Sequence, residues 1–88
     1  MRTVYVKLST RQDVQDFVGN LSGLEGNFDL IDGNYILDAR SLMGIFSLDL
    51  SKPLRLDIEF DTPETQEAVS RFVVEPPPAK NKKKIEEK

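Results

Sequence analysis

The 88-residue chain contains neither cysteine nor histidine, and it has no tryptophan. Without cysteine it can form no disulfide, no thiolate nucleophile and no cysteine-ligated metal site. Without histidine it also lacks the commonest neutral metal ligand and the side chain best suited to proton transfer near neutral pH. Most enzyme chemistry is therefore out of reach, and we expect a protein that is not an enzyme.

Long apolar runs are also missing, so nothing in the sequence predicts a membrane span. With 39% hydrophobic and 31% charged residues, the composition is typical of a soluble globular protein with one small core. The first residues enter a strand-like alternation without the features of a secretory signal. We therefore expect a cytoplasmic protein.

Charge divides the chain into two predicted parts. Residues 75–88 hold five lysines and three glutamates, which leaves seven basic and twelve acidic residues in 1–74. An acidic domain repels nucleic acid, so no nucleic-acid partner is expected. The proline run and the few apolar residues of 75–88 predict a disordered, solvated tail behind a folded domain at 1–74.

Four segments have the apolar alternation of β-strands. They are residues 3–8, 27–31, 34–39 and 53–60. Between the middle two lies Asp32-Gly33, a dipeptide that suits the backbone angles of a tight hairpin turn. The middle strands should therefore pair with each other in antiparallel orientation.

Three further segments space their apolar residues as helices do, and each begins at a residue whose side-chain oxygen can cap a helix. The predicted starts are Ser9 or Thr10, Ser41, and Thr62. The second helix, over residues 41–48, carries more apolar side chains than one buried stripe can use. The third continues its apolar repeat through Val73 and should end before Pro76.

The predicted fold class is α+β, with the order β-α-β-β-α-β-α. Because the strand patterns are apolar on one side only, we expect a four-stranded antiparallel sheet with three helices on one face. A ferredoxin-like arrangement has almost the same element order and stays open as the alternative. The aspartates show no calcium-loop spacing, so no metal and no cofactor are expected.

The stretch Asp-Ala-Arg-Ser-Leu-Met-Gly-Ile-Phe-Ser-Leu-Asp-Leu, residues 38–50, resembles the regulatory-serine segment of HPr, the phosphocarrier protein of the bacterial sugar phosphotransferase system. The predicted element order is similar to that of HPr over residues 3–74. The resemblance implies the open-faced β-sandwich of that family. It also implies that Ser41 is a regulatory phosphosite, since the equivalent serine is phosphorylated by a dedicated kinase in many Gram-positive bacteria.

The resemblance further implies a partner-docking surface next to this serine. Its residues are Leu42, Met43 and Phe46, with Arg40 adjacent to the phosphosite. Two interpretations stay open for Ser41, a helix cap alone or a cap that is also phosphorylated. Two also stay open for the apolar residues, which are either ordinary core or an exposed docking patch.

HPr proteins accept phosphate on a histidine in a loop before the first helix, and here that loop is shortened and has no histidine. The residues of this degenerate active-site loop are Ser9, Thr10 and Arg11. A hydroxyl would become a comparable nucleophile only with a base held in contact. The candidate bases are Asp13 and Asp16.

We therefore expect an HPr-like protein without phosphohistidine carrier activity, acting as a regulatory or adaptor module through the helix that Ser41 opens. The expected partners are proteins of the phosphotransferase system or a serine kinase or regulator, and the chain is expected to be a monomer. One alternative is a cryptic phosphocarrier that uses Ser9 or Thr10. The other is an unrelated protein-interaction domain on the same fold.

Overall fold

The computed structural model describes residues 1–77, and the greater part of the predicted tail lies outside the described residues. The elements within this range are β1 Arg2–Val6, α1 Arg11–Leu21, β2 Phe28–Asp32, β3 Tyr35–Asp38, α2 Leu42–Phe46, β4 Leu54–Ile58, α3 Pro63–Val69 and β5 Val73–Val74. None of the helices in this range has the length and apolar content needed to span a bilayer.

The strands form one sheet in the order β3-β2-β4-β1-β5, and every neighbouring pair is antiparallel. The predicted α+β class and the β2–β3 hairpin are confirmed. A ferredoxin-like arrangement is excluded by the strand order, because its interleaved strand-helix-strand units place β1 between β3 and β4, whereas here β2 lies between them. The predicted count of four strands is wrong, since residues 1–77 form five.

The fifth strand exists because α3 is shorter than its apolar repeat suggested. The helix ends at Val69, and Phe72 turns back into the core with its N–H donating to the Val69 carbonyl at 2.9 Å. Val73 and Val74 then pair with the free edge of β1 instead of continuing the helix. β-Branched residues favour this extended pairing. The pairing outweighs the helical spacing of apolar residues, which predicted a helix through Val73.

All fully buried strand residues lie on one face of the sheet. They are Val6, Phe28, Leu30, Leu54, Leu56 and Ile58. The three helices supply the other side of this core through Val14, Phe17, Leu21, Ile45 and Val69. The predicted layer of three helices on one face is therefore confirmed, and no element within residues 1–77 covers the opposite face.

Local capping explains where the helices begin. Thr10, Ser41 and Thr62 each have extended backbone angles and accept a hydrogen bond from a backbone N–H inside the first turn. The hairpin turn lies one residue later than predicted, at Gly33-Asn34, because Asp32 still pairs with Tyr35. Gly33 has a φ of +62°, a value that glycine adopts without strain.

Candidate functional site

Ser41 lies immediately before α2 and caps it. Its Oγ accepts a hydrogen bond from the N–H of Gly44 at 3.2 Å, and its carbonyl accepts one from Ile45 at 3.0 Å. A Cβ added at Gly44 would lie 2.9 Å from that Oγ, so glycine leaves the serine room for this contact. The geometry supports the cap interpretation, and phosphorylation of Ser41 stays a prediction.

The apolar residues of α2 divide between core and surface. Ile45 is fully buried, and Leu42 is half-buried against the core. Met43 is 79% exposed and Phe46 is 39% exposed. We call the surface formed by Leu42, Met43 and Phe46 the α2 patch. Met43 and Phe46 are exposed enough to contact a partner, whereas Leu42 exposes only part of its side chain.

The degenerate loop borders the α2 patch. Arg11, the first residue of α1, holds its guanidinium 5.9 Å from the centre of the Phe46 ring, at the range of a cation–π contact. This contact places a positive charge at the rim of an apolar surface. The sequence predicts Arg11 and Phe46 as members of two separate sites, and no spacing rule links residues on two different helices.

Asp13, the first of the two candidate bases for the loop hydroxyls, is part of the capping box of α1. Its Oδ2 accepts from the N–H groups of Ser9 at 2.9 Å and Thr10 at 3.2 Å, while the Thr10 hydroxyl accepts from the Asp13 N–H at 3.0 Å. Its Oδ1 accepts from Arg71 at 3.0 Å. The Arg71 hydrogen bond, followed by that of the Ser9 N–H, lowers the pKa of Asp13. A carboxylate held in this way is a poor general base.

The loop hydroxyls have no base in contact within residues 1–77. In this range the Nζ of Lys7 donates a hydrogen bond to the Ser9 Oγ at 3.4 Å, and an ammonium group cannot accept the hydroxyl proton. Asp16, the second candidate base, contacts Arg71 and Gln12 instead. The arrangement therefore gives Ser9 and Thr10 no activation as phosphate acceptors.

Arg40 contacts the loop after α1 rather than a docking surface. Its Nε donates to the Leu21 carbonyl at 3.1 Å, and its Nη2 donates to those of Leu24 at 2.7 Å and Gly26 at 3.0 Å. The guanidinium also lies 4.8 Å from the centre of the Phe28 ring. Carbonyls at and beyond a helix C-terminus lack intrahelical partners, and a cation satisfies them well. These contacts assign Arg40 a structural role, and none of them supports its predicted part in docking.

Small-molecule and metal sites find little support in the geometry. No group of three or more acidic residues within residues 1–77 is placed to hold a metal ion. Three surface clefts have volumes of about 230, 280 and 450 Å³. None of these three is lined by the α2 patch or by the degenerate loop.

No protein-family model matches the chain, and no curated protein sequence matches it significantly. A solved structure described as HPr-C-His from Thermoanaerobacter tengcongensis matches it with a TM-score of 0.66 and 24% sequence identity, over 81% of this chain and 89% of that chain. This likeness shows the fold alone. The chain therefore has an HPr-like fold, as the resemblance implied.

The role of Arg40 predicts a loss of stability on its replacement. Arg40→Met keeps an unbranched apolar stem but removes the guanidinium donor from three part-buried carbonyls, of which that of Leu21 keeps the N–H of Leu24 as a second donor. The free energy of unfolding in urea should therefore fall by about 2 kcal/mol. Arg2→Met is the control, because it removes an exposed ion pair with Asp61 and should cost less than about 1 kcal/mol. Equal losses for the two variants would contradict the role given to Arg40.

The capping carboxylate predicts a dependence of stability on pH. Because the pKa of Asp13 in the fold lies below the ordinary 3.8, its ionised form stabilises the fold above that pH, and the contribution is lost as the pH falls through the folded pKa. Asp13→Asn should therefore be less stable at pH 7 and flatter in its pH profile between about pH 5 and pH 2. Thermal unfolding over this range measures the effect. Asp16→Asn keeps the capping box and should follow the wild-type profile more closely.

Proposed function

We propose that this HPr-like protein is a non-catalytic adaptor or regulator that binds a protein partner through the α2 patch. The observation that carries the proposal is the exposure of Met43 and Phe46 on a helix whose Ile45 already fills the core. Large apolar side chains that cluster on a surface, with polar groups at the rim, mark interaction sites. The proposal includes no phosphohistidine carrier activity, because the chain has no histidine to accept the phosphate.

The chemistry of the patch supports a protein as its ligand. Phenylalanine, methionine and arginine are enriched in the centres of interfaces, and here Phe46, Met43 and Arg11 lie together. Met43 adapts its shape to a partner at little cost, since its side chain is unbranched. By resemblance, the partner is a protein of the bacterial phosphotransferase system or a serine kinase or regulator. A cytoplasmic monomer without a cofactor belongs to the same proposal.

Phosphorylation of Ser41 would give the patch a switch. A phosphate adds a charge of about -1.5 to -2 at neutral pH. It would stand at the N-cap of α2, directly before Leu42 of the α2 patch. An apolar partner surface that accepts the unmodified patch would have to desolvate that charge, so binding should weaken.

Incubation with ATP and an HPr kinase tests the switch. Intact mass should show one added phosphate on the wild-type chain and none on Ser41→Ala, whereas Ser47→Ala at the other end of α2 should still be labelled. In parallel, phosphoenolpyruvate with the first enzyme of the phosphotransferase system should add no phosphate, because the chain has no histidine and no base among residues 1–77 contacts the Ser9 hydroxyl. If no HPr kinase labels the chain, the switch is abandoned while the docking proposal stands.

If the α2 patch binds a partner, substitutions in it should weaken binding while leaving the stability of the fold nearly unchanged. Met43→Glu combined with Phe46→Ala should weaken binding of a partner captured by the wild-type chain by about tenfold or more, as loss of a central apolar contact does. The free energy of unfolding should change by less than about 1.5 kcal/mol, because Met43 faces solvent and Phe46 is only partly covered. Tyr35→Glu, an exposed aromatic residue on β3, is the matched control and should bind as wild type. Equal binding by all three proteins would remove the α2 patch as the docking site.

A further inference from the structure

The face of the sheet opposite the helices carries two rows of side chains, which the antiparallel register places across neighbouring strands. The first row is Ile36, Ile31, Arg55, Tyr5 and Val74, and the second is Asp38, Asp29, Asp57 and Thr3. We call these two rows the open face. Ile36 is 70% exposed, so the open face combines exposed apolar surface with a row of carboxylate side chains.

The acidic row is only partly compensated. Like charges directly opposite each other on neighbouring strands destabilise a sheet. Asp57 has two partners, since Arg55 donates to it at 3.0 Å and the Thr3 hydroxyl at 2.8 Å. Asp38 accepts only a backbone N–H, that of Arg40, and neither Asp29 nor Asp38 has an ion pair within residues 1–77. These two carboxylates mark where a cation would relieve the repulsion.

β5 is directed towards the level of this row. Val73 lies opposite Val6 and Val74 opposite Tyr5, so β5 runs antiparallel to β1, in the direction that leads from Tyr5 to Thr3. Strands lie about 4.8 Å apart, which puts β4 about 10 Å and β3 about 19 Å from β5. Six residues beyond Val74 can span up to about 20 Å and ten can span up to about 35 Å. Residues 80–84 can therefore reach every aspartate of the row.

That segment has the complementary charge. Residues 78–88 contain five lysines and two glutamates, whereas residues 1–77 contain seven basic and thirteen acidic residues. We propose that residues 80–84 of this chain dock in cis across the open face, with lysine ammonium groups at Asp29 and Asp38 and lysine stems over Ile31 and Ile36. Lysine covers apolar surface with its stem while its charge stays in water. The covalent link keeps the segment at a high effective concentration, so weak contacts suffice.

This contact is separate from the adaptor proposal, because it uses the face of the sheet that the helices leave bare. It is also electrostatic, and exposed ion pairs weaken as salt shortens the screening length from about 10 Å at 0.1 M to about 3 Å at 1 M. Docking should therefore be present at low salt and lost at high salt.

The absence of cysteine allows a direct test on the full-length chain. Asn81→Cys carrying a nitroxide label should broaden the amide signals of Asp29, Ile36 and Asp38 at low salt, while those of Met43 keep their intensity. Salt at 1 M should restore the broadened signals. The same label in a chain with Asp29→Asn and Asp38→Asn should no longer broaden them, and the spectrum of that chain shows whether it stays folded.

Two outcomes would overturn the proposal. The first is broadening confined to β5 and its neighbours, or equal broadening with and without the two aspartates. The second is broadening in a mixture of labelled unenriched chains and unlabelled enriched chains, which would place the segment on a second copy. Replacing Lys80, Lys82, Lys83 and Lys84 with glutamine leaves the folded part untouched and should abolish the effect, so a folding defect cannot imitate the expected result.

Discussion

The sheet buries apolar side chains on one face only, and the placement of α2 follows from that constraint. Each helix must turn an apolar stripe towards the buried face, and a helix of five residues has room for one deeply buried position, which Ile45 takes. Residues two positions apart point to nearly opposite sides of a helix. With Ile45 inward, Met43 must therefore face solvent. The exposure of the α2 patch is thus a consequence of how a short helix packs on a sheet that is buried on one face only.

The N-terminus of α1 is arranged in a way that does not favour phosphate binding. The N-terminus of a helix presents free N–H groups and a partial positive charge, which is where a phosphate would bind. Here the Asp13 carboxylate already accepts from the N–H groups of Ser9 and Thr10, and Arg71 neutralises it. An incoming phosphate would have to displace an internal anion. The missing histidine and the occupied helix terminus therefore act in the same direction.

Side-chain periodicity predicted most of the fold, because it reports directly on burial. The alternation over Leu54–Ile58 and the capping residues predicted the sheet and the helix starts. The excess of apolar residues in α2 indicated more of them than one buried stripe can use, but it left open whether they are core or an exposed patch. Periodicity could not predict β5, since the spacing of Val69, Phe72 and Val73 also fits a helix. It could not predict the role of Arg40 either, because the partners of its guanidinium are backbone carbonyls that leave no pattern in the sequence.

The short α3 also decides which surface the end of the chain can reach. Had the helix continued through Val73, the chain would have left from the helix layer, on the side of the core. Phe72 instead fills a core position against Phe17, at a ring separation of 5.4 Å, and this turn delivers Val73 and Val74 to the edge of β1. A strand at that edge extends the sheet, so the chain leaves β5 from the sheet edge rather than from the helix layer. The proposed docking of the lysine segment on the acidic row starts from this position, and the position depends on the packing of one aromatic ring.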